Sequence, residues 1–162
     1  MEKSIIKSWM KKNVVSINKH ATVKEAAELL MEKRVGTLPV VDDQGHMVGL
    51  TTMKDVLGFF LPDFLHLFED IDFLKDFGAL RKVSAEDIEQ AASTKVADMM
   101  QEGICIPEDA SPIRALSVME THGLPDLPVV TDKKPVGIVS RVDVGRAFLA
   151  KRFGKPQAKS AK

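Results

Sequence analysis

The sequence predicts an α/β (α+β) fold in which one β-α-β-β-α unit is used twice. Three observations carry this. Residues 38–43 read Leu-Pro-Val-Val-Asp-Asp, and residues 127–132 read Leu-Pro-Val-Val-Thr-Asp. The same offset of 89 residues places Met10 on Met99, Ile17 on Ile106, Ala21 on Ala110 and Ala26 on Ala115. After a one-residue deletion in the second turn, Val48-Gly49 falls on Val136-Gly137, and Asp55-Val56 on Asp143-Val144. A register held this long marks a duplicated unit. Repeat 1 spans 7–57 and repeat 2 spans 96–148. A Phe-rich acidic helical insert (58–95) lies between them, and a basic stretch (149–162), expected to be disordered, follows.

Each repeat opens on a short apolar segment, Val14–Ile17 or Gly103–Ile106, which reads as a strand. A helix start follows. Thr22 with Glu25 three residues on is a capping box. Its counterpart is Ser111 followed by Pro112, suited to the first helical position. Val23, Ala26, Ala27 and Leu30 share one helix face, as do Pro112, Ala115, Leu116 and Met119. Next come the strand Leu38–Val41 or Leu127–Val130 and a tight polar turn. The returning strand is Met47–Thr51 or Pro135–Val139. A second helix begins near Thr52 or Ser140. A three-stranded sheet with one apolar face cannot bury that face alone, so the two units should pack on each other.

Composition narrows the function. The 162 residues are 44% hydrophobic and 28% charged, as in a globular protein. With 23 Lys+Arg against 23 Asp+Glu, the chain is not a globally basic nucleic-acid coat. One cysteine excludes a disulfide framework and a cysteine-based zinc site. No apolar run approaches the roughly 20 residues of a membrane helix. The expected compartment is the cytoplasm, with no membrane partner and no nucleic-acid partner.

The sharpest motif lies where the returning strand enters the second helix. Gly49-Leu50-Thr51-Thr52-Met53-Lys54-Asp55 and Gly137-Ile138-Val139-Ser140-Arg141-Val142-Asp143 both reduce to Gly-h-x-(Ser/Thr)-x-x-Asp, with h apolar. On one reading this is only a helix start, a hydroxyl capping the first turn with an acid at its positive end. On the other, the hydroxyl and helix start meet an anion, and the carboxylate accepts from the vicinal hydroxyls of a ribose. The glycine lets another chain or a ligand approach the backbone. Two copies, each after the same hairpin, favour the nucleoside reading.

In order and duplicated, the helix start Thr22–Ala27, the Leu-Pro-Val-Val hairpin and the Gly-h-x-(Ser/Thr)-x-x-Asp motif resemble a tandem pair of CBS (cystathionine-β-synthase) domains. The resemblance covers both repeats but neither insert nor tail. It implies a pseudo-twofold module with two clefts that bind adenosine compounds: AMP, ADP, ATP or S-adenosylmethionine, with no metal required. Asp55 and Asp143 would accept from ribose hydroxyls. Thr52 and Ser140 would lie near the first phosphate, and Arg141 would contact it. The backbone at Val15-Ser16 and Ile104-Cys105 would border the adenine, beside Leu50 and Ile138. Such a protein is a stand-alone regulatory module, a homodimer without catalysis of its own, acting on a partner that the sequence does not name. The alternative is a ligand-free interaction scaffold whose Thr/Ser-x-x-Asp motifs only cap helices.

The chain departs from the family pattern in one respect. The two positions before Leu-Pro-Val-Val are often basic in phosphate-binding members; in this chain they are Gly36-Thr37 and Pro125-Asp126. Asp126 would repel a polyphosphate if it faced the slot. Met53 stands where repeat 2 has Arg141, so the clefts should differ.

The insert holds six of the eight Phe and eight acids against four bases, as an extended core or a docking surface would. The stretch after Pro62 has helical period, and Ser84 with Asp87 caps a helix over 85–92. From Arg146 onward there are six bases and no acid, which suits a solubilising tail. Cys105 reads as a packed thiol, and His20, His46, His66 and His122 have no ligand spacing.

Overall fold

The computed structural model describes residues 5–60 and 84–154. After a 3-10 turn at Ile6–Ser8, repeat 1 runs β1 (Ile17–Asn18), α1 (Val23–Lys33), β2 (Thr37–Val41), β3 (Met47–Thr52) and α2 (Met53–Phe60). Helices α3 (Ala85–Ser93) and α4 (Val96–Met99) precede repeat 2. Repeat 2 runs β4 (Ile106–Pro107), α5 (Pro112–His122), β5 (Asp126–Thr131), β6 (Lys134–Ser140) and α6 (Arg141–Phe153). The strands form two three-stranded sheets, β1-β2-β3 and β4-β5-β6. In each, the leading strand lies parallel to the middle one and the hairpin is antiparallel.

Local chemistry explains the elements. Thr22 and Glu25 bond reciprocally at 2.7 and 3.2 Å, closing the capping box of α1. Ser111 accepts from the Arg114 N–H at 3.3 Å at the start of α5. Val23, Ala26 and Leu30 are buried on one face, as are Pro112, Ala115 and Met119. Gly123 ends α5 in the left-handed region at φ 63°. The shorter second hairpin turns through Asp132 and Lys133, both at positive φ (50° and 64°). Two consecutive left-handed residues suit the twist of a tight hairpin.

The leading strands are shorter than expected: their ladders start only at Ile17 and Ile106, and ahead of them single residues pair across the repeats. Lys11 and Ile138 exchange both backbone hydrogen bonds at 2.9 Å. Leu50 and Gln101 do the same at 3.2 and 2.8 Å. Each repeat therefore lends its lead segment to the other repeat's sheet. The core follows the exchange. Ile6 and Met10 pack with Leu127, Val129 and Val139, while Val96, Met99 and Met100 pack with Leu30, Leu38 and Val40.

The motif glycines make this possible. A Cβ on Gly49 would lie 2.5 Å from Met100 Sδ and 2.9 Å from the Gln101 carbonyl oxygen; one on Gly137 would collide with Met10 Sδ. The backbone approach reserved by these glycines is made by the chain itself. It also corrects the repeat register, since Met10 corresponds to Met100 rather than Met99, and Lys11 to Gln101. Thr37 Oγ1 lies 3.5 Å from Asp126 Oδ2. These two are mates under the repeat offset, so their contact marks the pseudo-twofold axis.

Two further expectations meet the structure. Residues 149–153, expected in a disordered tail, continue α6 to Phe153. Nothing before Gly154 breaks the helix, and Lys151 and Arg152 suit the negative end of its dipole. Arg152 also sits over the Phe148 ring. The Ser84–Asp87 box does start α3, closed by bonds of 2.8 and 3.1 Å. The helix expected after Pro62 and the residues from 155 onward lie outside the described residues. Among the described residues, no helix is long and apolar enough to cross a membrane.

Candidate ligand clefts between the repeats

The exchanged leads set each motif beside the other half of the chain. Thr52, at the end of β3, is 5% exposed. Its N–H and its hydroxyl lie 2.7 and 2.8 Å from Asp55 Oδ2, and the Asp55 N–H returns to the hydroxyl at 3.3 Å. Ser140 and Asp143 repeat the pattern at 3.0, 2.7 and 3.2 Å. The first helical N–H is also taken, by the Gly36 carbonyl at Met53 (2.9 Å) and by the Pro125 carbonyl at Arg141 (3.4 Å). These helix starts therefore satisfy most of their own donors.

The surroundings differ. The Gln101 side-chain amide lies 2.6 Å from Asp55 Oδ1 and 2.7 Å from Oδ2. Both Asp55 oxygens are thus engaged. Lys11 holds the matching position in the other lead, and among the described residues no donor meets Asp143 Oδ1, although Asp143 is only 6% exposed. Leu50 is wholly buried in the core, whereas its mate Ile138 is half-buried. Arg141 pairs with Glu120 on α5. Asp126 faces Ser140 across the β5–β6 ladder. Burial pushes the Asp126 carboxyl up; Lys11 and Thr37 act against that shift, and the nearby Asp143 charge adds to it.

The CBS domain family matches this chain twice, at residues 6–62 and 96–150. The chain belongs to the CBS-domain family.

Relatives share its length unevenly. CBSX2, a chloroplastic CBS domain-containing protein of Arabidopsis thaliana, is 32% identical over 148 residues, covering 86% of this chain and 60% of that protein. An uncharacterised protein of Methanocaldococcus jannaschii is 28% identical over 89% of this chain, which spans only 32% of its length. The crystal structure of CBSX2 in complex with AMP aligns with a TM-score of 0.65 at 26% identity, covering 91% of this chain and 98% of that one.

Within this CBS pair, the expected site residues fall into two sets. In the set of Ser140, Asp143 and Ile138, Ile138 pairs with Lys11 of the lead that runs to Val15 and Ser16, half-buried and exposed respectively. Thr52, Asp55 and Leu50 meet the lead that runs to Ile104 and Cys105. Cys105, expected as a packed thiol, is exposed and lines a cavity of about 380 Å³ with Met47, Val130 and Lys133. That cavity is not lined by Thr52 or Asp55. Sequence reasoning missed Gln101 and Lys11. Their signal was the backbone pairing of the leads, which the off-by-one register concealed. Among the described residues, no group of three or more His, Cys, Asp or Glu could hold a metal ion.

Proposed function

We propose that this CBS pair is a regulatory module that binds an adenosine compound between its repeats and passes the bound state to a partner protein. One observation carries the reading: Asp143 is almost fully buried, yet its Oδ1 has no partner among the described residues. That oxygen is not sealed off by the fold, and vicinal ribose hydroxyls are suitable donors for it. The AMP complex of CBSX2 supports the ligand class. The module does no catalysis of its own in this reading, and it works as a homodimer. Exposed Ile113, Leu116, Phe148 and Leu149 on α5 and α6 supply apolar surface for a second copy or a partner.

A ligand-free scaffold is the competing reading. It is favoured by the Thr52–Asp55–Gln101 set, in which every carboxylate oxygen is already bonded. Thermal shift with AMP, ADP, ATP and S-adenosylmethionine separates the two. A ligand at 100 times its dissociation constant adds about 2.7 kcal/mol, or roughly 5–10 °C for a chain of this size. The expected result is such a shift with at least one compound, abolished in Asp143→Ala. No shift with any of them leaves the scaffold.

A further inference from the structure

The Ser140–Asp143 box offers a ligand one kind of group. Ser140 Oγ lies 2.7 Å from Asp143 Oδ2. A carboxylate has no proton to give, so the hydroxyl donates. The same oxygen accepts from the Asp143 N–H at 3.2 Å, leaving it one lone pair. Asp143 Oδ1 also only accepts. Every free side-chain position in the box is therefore an acceptor. That suits the O–H donors of a sugar and not a phosphate, which itself only accepts.

Two features of the nearby charges point the same way. Arg141, expected to contact a phosphate, is paired with Glu120. Asp126 lies directly opposite Ser140 in the strand ladder and close enough to Asp143 for their charges to repel. Lys11 acts the other way, its charge lying close enough to Asp126 to offset part of that carboxylate's field. Ile138 lies two residues before Ser140 on the same strand face, because side chains alternate along a strand. A flat apolar base can rest there, with the sugar at Asp143 and its 5′ group toward Asp126. In the other cleft, Gln101 occupies the carboxylate and Leu50 offers no exposed surface.

Resting on the adenosine reading above, we propose that the Ser140–Asp143 box selects an adenosine compound whose 5′ substituent is uncharged or cationic, and that Asp126 is the residue that rejects a 5′-phosphate. Titration calorimetry of the full chain with 5′-methylthioadenosine, S-adenosylmethionine and AMP tests it. The wild type should bind 5′-methylthioadenosine about tenfold more tightly than AMP, and Asp126→Asn should recover most of that factor for AMP. Asp126→Thr, which copies the repeat-1 mate Thr37, should do the same and guards against a folding defect in the first variant. AMP binding as tight as 5′-methylthioadenosine in the wild type overturns the proposal. So does an unchanged ratio in both folded variants. Failure of all three compounds with every protein would instead remove the adenosine reading beneath it.

Discussion

Asp55 and Asp143 occupy the same place in a duplicated unit and hold their caps at nearly the same distances. Yet Gln101 closes both oxygens of the first, while the second keeps one open. The cap is local, made within four residues of one helix start, so duplication carries it faithfully. What the cap presents depends on the lead segment contributed by the other half of the chain, and there Gln101 answers to Lys11. At the axis Thr37 answers to Asp126, and in the core Thr51 answers to Val139. Two helix starts with one design thus sit in different chemistry.

The largest expected effect tests the crossing of the leads. Gly49→Ala should cost about 2–3 kcal/mol and Gly137→Ala about 1–2 kcal/mol in urea unfolding. The order follows from what each Cβ meets. At Gly49 a backbone oxygen stands at 2.9 Å and cannot retreat. At Gly137 the nearest backbone atom is at 3.2 Å, and the closer obstacle is the flexible Met10 side chain. Equal losses, or the reverse order, would mean that backbone crowding does not set the difference between the two crossings.

A gain is expected at Thr51. Its side chain is fully buried and Oγ1 has no partner among the described residues, while Val139 fills the same place in repeat 2. Thr51→Val should raise stability by about 1–2 kcal/mol. A lower denaturation midpoint in this variant would reveal a bond that the hydroxyl needs.

The smallest effect is a pH dependence at the axis. Burial raises the folded-state pKa of Asp126 above its unfolded value. The folded state then holds this proton more tightly, so the wild type gains stability as pH falls through the raised pKa. The gain is complete below the ordinary carboxylate value and absent near neutrality. Asp126→Asn does not titrate, so its midpoint should exceed that of the wild type most at neutral pH. That margin should narrow on acidification, and a margin that widens in acid would contradict burial as the dominant influence on this carboxyl.

The fold was legible because its signals are local: capping residues at fixed spacing, apolar faces of period 3.6, and a hairpin string repeated in one register. The motif positions were legible for the same reason. What hid was everything decided across the repeats. An offset fitted to the hairpins put Met10 one residue away from its true mate Met100, so the roles of Lys11 and Gln101 disappeared. The length of α6 is hidden as well, because basic composition suggests a tail while helix propensity up to Gly154 carries the helix on.

The exchange of leads also bears on how the module opens. The amides of Leu50 and Ile138, in the two motifs, are each held by the lead segment of the opposite half. Neither half can unfold without stripping an edge from the other. The two repeats should therefore surrender their slowest-exchanging protons together, as a single cooperative unit.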